Sequence, residues 1–216
     1  FDDIKSSKKM VDFVLNRSLK ETEKQTYQAM EAFIHNLNTM HSRAGAQVPF
    51  SSVNFGTDTS PEGRMVSRNL LLAQEAGLGK GETAIFPITI FKIKKGVNLN
   101  QEDPNYDLFK LACRVSSKRL FPNFAFLDAP FNAQYYKEGD INTEVTYMGC
   151  RTRVIGNICG EEVVTGRGNI SFTTINLPRL GLMYGVALNE RDKVDLEGFF
   201  KELDNRIDLV LDQLLE

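Results

Sequence analysis

Three features are scarce or missing in this sequence, and each absence excludes a class of protein. It has no apolar run long enough to cross a membrane, and its opening residues, FDDIKSSKKM, contain no apolar signal segment. The net charge is −2, so no basic field favours nucleic acid or a membrane surface. The three cysteines are widely spread and odd in number, which argues against a disulfide framework. We therefore expect a cytoplasmic protein with reduced thiols.

What remains is an ordinary globular composition. The 216 residues are 42% hydrophobic and 25% charged, which excludes disorder and is enough to bury a core. The length fits one large domain or two small ones. The chain opens without methionine and closes on the helical run IDLVLDQLLE, so we expect an internal piece of a longer protein.

Helix and strand signals alternate along the chain. The capping-box pattern Ser18-Leu19-Lys20-Glu21 predicts that a second helix, ending near Arg43, follows a first helix over 4–17. Ser60-Pro61-Glu62 predicts another helix start, and Gly77 its end. Strands are predicted over 48–55, 84–93, 123–127 and 169–177, and further helices over 103–120 and 190–215. Residues 138–168 are predicted to be irregular, with one hairpin around Gly160. This order favours an α/β fold with parallel strands, in a sheet or a barrel.

Cys150 is the cysteine with the strongest chemical context. It follows Gly149 and precedes Arg151 and Arg153, and neighbouring cations favour a thiolate. An ordinary loop thiol is an equally good interpretation of these local features. Cys113 is predicted to pack in the core, and Cys159 suggests no role.

Other candidate sites are weaker. A zinc site is not indicated, because the spacing of zinc ligands is absent from Cys150, Cys159, His35 and His41. A nucleophilic pair of Cys150 with His41 has no local sequence signature. The glycine-rich segment 77–81 follows a helix, so it predicts a helix stop rather than a phosphate loop.

Small polar residues gather beside two predicted strands. Ser51, Ser52 and Asn54 crowd hydroxyl and amide groups onto a strand end, which suits a sugar or phosphate ligand, although a capped helix after a turn explains them too. Asn169 places an amide at the head of a predicted buried strand.

Three longer segments, taken together, indicate a known family. The segments closely resemble the anaerobic, class III ribonucleoside-triphosphate reductases. They are HNLNTMHSRAGAQVPFSSVNFGTDTS (35–60), YMGCRTR (147–153) and GRGNISFTTINLPRL (166–180). The resemblance extends from about Tyr27 to Leu182.

This resemblance implies a ten-stranded α/β barrel built from two half-barrels, with a finger loop through its centre. This chain would supply N-terminal helices over 1–43 and about half of the barrel over 44–216, with the finger loop around 144–156. By match to Met-Gly-Cys-Arg, Cys150 would carry the thiyl radical that abstracts the ribose 3′-hydrogen, after which the 2′-hydroxyl leaves as water. Asn169 would lie beside the ribose hydroxyls, and Ser51, Ser52 and Asn54 would bind substrate.

The same resemblance implies partners and cofactors. The substrate would be a ribonucleoside triphosphate, with ATP and deoxyribonucleotides as effectors and a homodimer formed through the N-terminal helices. The full enzyme would use a glycyl radical generated by a radical-SAM activase, a four-cysteine zinc site and a formate or thiol reductant. The Arg-x-x-Gly-Tyr radical motif and the zinc cysteines do not occur in this sequence, so we expect the piece to be inactive alone.

Three alternatives stay open. The first is a non-catalytic nucleotide-binding or dimerisation module related to the reductase. The second is a glycyl-radical enzyme acting on an acyl or diol substrate, and the third is a cysteine hydrolase.

Overall fold

The computed structural model describes residues 2–41, 44–149, 152–157, 160–168, 172–187 and 192–215. The chain forms two compact units, Phe1–Thr165 and Gly166–Glu216. Neither unit contains, within those ranges, a helix with the length and apolar character that a membrane crossing requires. The predicted domain boundary at residue 43 stays a prediction.

The amino-terminal unit begins with one long helix, α1 (Asp2–Thr39), where two helices were predicted. Ser18 lies inside α1, so the prediction of a capping box there was wrong. No glycine or proline precedes Ser18 to interrupt the helix, and a serine caps a helix only where the preceding backbone leaves the helical conformation. Near its carboxyl end α1 packs on the next helix of the chain, where Ile34 is 2% exposed.

Local capping chemistry defines α2 (Pro61–Ala76), as the sequence predicted. Ser60 Oγ accepts a hydrogen bond from the Gly63 amide at 3.0 Å, and Pro61 occupies the first helical turn. The helix ends at Gly77, whose φ of +81° favours glycine.

Three parallel strands form the sheet of this unit, in the order β1-β2-β3. They are β1 (Ser52–Phe55), β2 (Ile88–Ile93) and β3 (Asn123–Phe126), with α3 (Tyr106–Arg119) between β2 and β3. The prediction of an α/β fold with parallel strands is confirmed, with shorter strands than the sequence suggested. Whether these strands belong to a barrel stays a prediction.

Helices α2 and α3 cover one face of the sheet and form the main core with it. Phe91 of β2 is fully buried and packs with Leu71 of α2 and Val115 of α3. Burial of one such side chain contributes roughly 1.5–3 kcal/mol. The rings of Phe55 and Phe124 meet Phe91 edge-on, at centroid distances of 5.5 and 6.2 Å.

Two buried asparagines connect the ends of the strands. Asn98 Nδ2 donates to the carbonyls of Gly56 and Lys92, at 2.9 and 2.8 Å. Asn105 Nδ2 donates to the same Gly56 carbonyl and to that of Asp58. These bonds give side-chain partners to backbone carbonyls at the carboxyl ends of β1 and β2.

A small hairpin follows the sheet. After α4 (Pro130–Ala133) and a 3₁₀ turn (Ile141–Thr143), β4 (Thr146–Met148) pairs antiparallel with β5 (Thr152–Val154). The sequence predicted a hairpin around Gly160 instead, and that prediction was wrong, because residues 160–168 contain no strand.

The carboxyl-terminal unit contains α5 (Leu177–Tyr184) and α6 (Leu196–Leu215), which pack on each other. The strand predicted over 169–177 is wrong for its described part, since residues 172–176 are irregular. Asn176 instead caps α5, its side-chain oxygen accepting from the Arg179 amide at 3.0 Å.

Candidate functional site

The two faces of the parallel sheet differ in chemistry. Side chains alternate along each strand, so Ser52 and Asn54 of β1 lie on the same face as Ile90 and Lys92 of β2. Phe91 lies on the opposite face, which the helices cover. We call the first face the hairpin face, because the hydrogen bonds of its side chains hold the β4–β5 hairpin.

Asn54 attaches the middle of β4 to β1. Its Nδ2 donates to the Tyr147 carbonyl at 2.7 Å, and its Oδ1 accepts from the Tyr147 amide at 3.0 Å. A carboxamide thus takes the place of the backbone pair that an adjacent strand would provide. Both bonds end on one residue, so Tyr147 lies over Asn54.

Ser52 attaches the end of β4. Its Oγ accepts from the Gly149 amide at 3.1 Å. Gly149 has a φ of +58°, and a Cβ there would lie 2.7 Å from Cε1 of Phe50, so the conformation and the space both favour glycine. Gly149 directly precedes Cys150 in the sequence, so this bond anchors the neighbour of the candidate cysteine.

Glu144 attaches the base of the hairpin through charge. Its carboxylate lies 2.8 Å from Lys92 Nζ and 3.4 Å from Lys94 Nζ, and the side chains of Glu144 and Lys92 are only 7% and 9% exposed. Lys94 Nζ also lies 4.1 Å from the ring centroid of Tyr136. Partial burial opposes the Lys94 ammonium, but Tyr136 and the Glu144 carboxylate outweigh it and raise the pKa of Lys94.

The outer strand β5 is held by α4. Arg153 Nη1 donates to the Phe131 carbonyl at 3.2 Å and to Asn132 Oδ1 at 3.4 Å, and its guanidinium carbon lies 5.4 Å from the Phe131 ring centroid. Asn132, which is buried, donates to the Phe126 carbonyl and to the Tyr147 hydroxyl. The hairpin is therefore held from the sheet and from α4.

The structure brings together only some of the predicted site residues. Ser52 and Asn54 lie side by side on the hairpin face, whereas the Ser51 hydroxyl donates, among the described residues, only to the Pro49 carbonyl, at 3.5 Å. Cys150 and Asn169, the two predicted catalytic residues, lie outside the described residues. The assigned roles of all five residues stay predictions.

Two further sequence expectations concern cysteine and metal. Cys113 was predicted to pack in the core, and that prediction was wrong: it is exposed on α3, where partial burial raises the pKa of its thiol. The core positions of α3 are Leu108, Ala112 and Val115, and position 113 lies off that stripe. The described residues contain no group of three or more His, Cys, Asp or Glu side chains that could hold a metal ion.

Sequence reasoning missed the residues that hold the hairpin base and β5. These are Lys92, Glu144, Asn132 and Arg153. One signal was available for Lys92, since a lysine within the apolar run AIFPITIFKI requires a buried partner for its charge. Nothing in the sequence indicated which acid supplies it.

The carboxyl-terminal unit contains a separate cleft of about 440 Å³. It lies between residues 173–176, α5 and α6, and the side chains of Arg179 and Arg206 contribute to its lining. Glu202 pairs with Arg206 at 2.8 Å, so one of these two charges is already compensated.

Comparisons with known proteins point to one family. The family profile described as anaerobic ribonucleoside-triphosphate reductase matches residues 5–216. The chain is similar to proteins of that name from Enterobacteria phage T4 (36% identity over 93% of this chain and 32% of the relative) and Salmonella typhimurium (36% over 90% and 25%). The Escherichia coli protein of that name is also 36% identical, over 90% of this chain and 25% of its own length. The chain thus spans about a quarter to a third of the length of these curated relatives. On this match, which extends over nearly its whole length, the chain belongs to the anaerobic ribonucleoside-triphosphate reductase family.

Proposed function

We propose that the chain is part of the catalytic subunit of an enzyme that reduces ribonucleoside triphosphates to 2′-deoxyribonucleoside triphosphates under anaerobic conditions. The observation that carries the proposal is the attachment of Tyr147 and Gly149 to the hairpin face. The Met-Gly-Cys-Arg segment that resembles the radical loop of the family is thereby tied to a parallel sheet on its amino-terminal side.

We further propose that the amino-terminal unit is one wall of an α/β barrel. The described helices α2 and α3 lie on one face of the sheet, as on the outside of a barrel wall. The hairpin lies on the other face, where a central finger loop would be. This arrangement supports the barrel, whose remaining strands would come from outside the described sheet.

Cys150 is proposed to react as a thiyl radical. Its sulfur would take a hydrogen atom from ribose C3′, breaking a C–H bond and forming an S–H bond. The 2′-hydroxyl would then gain a proton, supplied like the two reducing electrons from the rest of the subunit and its partners, and leave as water. Asn169 is proposed to orient the ribose hydroxyls through its amide, and Ser51 to contact the substrate. Ser52 and Asn54 are likewise proposed to bind substrate, and we add a second role for them in holding the hairpin, since their polar atoms bond to Gly149 and Tyr147.

The radical and the two reducing electrons are proposed to come from the rest of the subunit and its partners. These are a glycyl radical made by a radical-SAM activase, and a formate or thiol reductant. Zinc would be held outside the described residues, which offer no ligand cluster for it. ATP and deoxyribonucleotides would act as effectors, and the enzyme would work in the cytoplasm.

A homodimer through α1 is proposed as well. The amino-terminal half of α1 leaves large apolar side chains exposed, among them Met10 (66%), Phe13 (66%) and Val14 (57%). Exposed apolar side chains that cluster on one element are typical of association surfaces.

The test uses the full-length subunit, activated anaerobically, with Cys150→Ser and the matched control Cys113→Ser. We expect Cys150→Ser to abolish reduction while nucleotide binding stays within about threefold, because the thiol acts only in the chemical step. Cys113→Ser, on the exposed surface of α3, should reduce nucleotides at the normal rate. Substantial reduction by Cys150→Ser would overturn the proposal and favour the non-catalytic module.

A further inference from the structure

We propose that Glu144 is a positioning residue that sets the register of β4 on the hairpin face. The inference rests on the proposed function, because β4 and Gly149 directly precede Cys150 in the sequence. Its basis is the buried contact of one carboxylate with Lys92 and Lys94, at the base of the hairpin.

Because the Glu144–Lys92 ion pair is buried, it is expected to add little to the free energy of unfolding. Glu144 and Lys92 are 5% and 7% exposed as residues, and removing two charges from water costs about as much as their attraction returns. A well-packed apolar pair would serve stability equally well or better. A buried ion pair differs from an apolar pair in one respect. If the chain shifts, one buried charge loses its partner, so the ion pair opposes any displacement of β4.

The geometry of the pair suits a register lock. Each carboxylate oxygen of Glu144 faces a different ammonium: Oε1 is 2.8 Å from Lys92 and Oε2 is 3.4 Å from Lys94. The two lysines lie two positions apart, so they belong to the same side of the extended chain. Two contacts on one rigid chain restrain the orientation of Glu144 as well as its distance.

Glu144 is the first of three attachments along one line. Tyr147 bonds to Asn54 and Gly149 bonds to Ser52, so β4 runs across the hairpin face from Lys92 towards the start of β1. The neutral hydrogen bonds could re-form after a slip, because every residue of β4 offers an amide and a carbonyl. A slip of one residue moves the chain by about 3.3 Å and exchanges its two faces. The ion pair, by contrast, requires Glu144, the one acidic residue of the segment 144–149.

Such a displacement matters for the proposed chemistry. Hydrogen-atom transfer needs the sulfur and the ribose carbon in close contact, and a misplacement of about 1 Å can cost roughly 100-fold in rate. Loss of the Glu144 charge should therefore lower kcat, while KM changes little, because no substrate contact is removed.

The experiment compares Glu144→Gln with a double variant, Lys92→Met/Glu144→Met, in the full-length subunit. Glu162→Gln is the matched control, because it breaks an ion pair with Lys137 in which both side chains are more than 60% exposed. We expect both test variants to lower kcat at least about tenfold with KM within about threefold. The double variant should recover the melting temperature but not kcat, since an apolar pair restores packing without restoring register.

Hydrogen exchange provides a readout without activity. In Glu144→Gln, the amides of Tyr147 and Gly149 should exchange at least about tenfold faster, while those of β2 stay protected. Equal acceleration in β2 would indicate a merely structural role and would overturn the inference, as would normal kcat or unchanged protection at Tyr147 and Gly149. Failure of the proposed function is separate, because it is judged by Cys150→Ser with Glu144 intact.

Discussion

The side chain of Asn54 forms both backbone hydrogen bonds of Tyr147 that face the sheet, donating at 2.7 Å to its carbonyl and accepting at 3.0 Å from its amide. One carboxamide thereby attaches the hairpin that leads to Cys150. Few other side chains could do this, because the contact requires a donor and an acceptor at fixed separation.

We predict that Asn54→Ala loosens the hairpin. It leaves the amide and carbonyl of Tyr147 without these partners, which should lower the free energy of unfolding by about 1–3 kcal/mol. Urea unfolding of the wild type and the variant measures this difference. Ser51→Ala is the control: within the part of the chain that the structure describes, its hydroxyl bonds only to the Pro49 carbonyl, at 3.5 Å, so we expect a change within about 0.5 kcal/mol. Equal losses in both variants would contradict the prediction.

Gly149→Ala should be costly for two separable reasons. The added Cβ would lie 2.7 Å from Cε1 of Phe50, and the φ of +58° disfavours a side chain by about 1–2 kcal/mol. Gly139→Ala isolates the second reason, because Gly139 has a φ of +83° and open space around it. We expect a larger loss of unfolding free energy at 149 than at 139, and a smaller difference when Phe50 is also replaced by alanine. Equal losses at the two glycines would rule out the clash.

Arg119 is predicted to secure the carboxyl end of α2. Its guanidinium donates to the carbonyls of Glu75 and Ala76, which the helix itself leaves unpaired, and to that of Gly81. Arg119→Ala should lower the free energy of unfolding by about 1.5–3 kcal/mol, and Arg119→Lys should recover only part of it, since an ammonium lacks the planar fork. Thermal unfolding beside the exposed control Lys118→Ala measures both, and a full rescue by lysine would contradict this account.

Asp58 should make folding sensitive to acid. Hydrogen bonds from the Ser60 side chain and backbone hold the pKa of Asp58 below its usual 3.8. A lowered folded-state pKa stabilises the protein above pH 3.8, and this contribution is lost as pH falls through the folded value. We therefore expect Asp58→Asn to show a weaker decline in unfolding free energy between pH 4 and pH 2 than the wild type. Parallel profiles in denaturant titrations across that range would count against it.

Local signals in the sequence predicted the elements that depend on neighbouring residues. The helix α2 begins after Ser60, at Pro61, and ends before Gly77, as expected. A helix cap depends only on residues within one turn of the helix end, so the local sequence can predict it. The apolar run ending at Ile93 became a fully buried strand for a similar reason. The prediction of a helix start at Ser18 was wrong because the same capping pattern can also occur inside a continuous helix.

Other features depended on residues far apart in the chain. The run 169–177 has strand-forming composition, but its described residues 172–176 pair with no strand among those described, and a strand needs a neighbour for its backbone hydrogen bonds. The hairpin was placed around Gly160 rather than at 146–154, since three-residue strands carry little periodicity.

The sequence by itself determined the α/β alternation, because capping residues and apolar runs are local patterns. It also determined the family, through the Met-Gly-Cys-Arg and Asn-Leu-Pro-Arg segments. Only the tertiary structure decided that Asn54 meets Tyr147 and that Glu144 meets Lys92, across 93 and 52 positions. Such partners are chosen by the register of the strands and the path of the hairpin across the sheet. No pattern local to either residue contains that information.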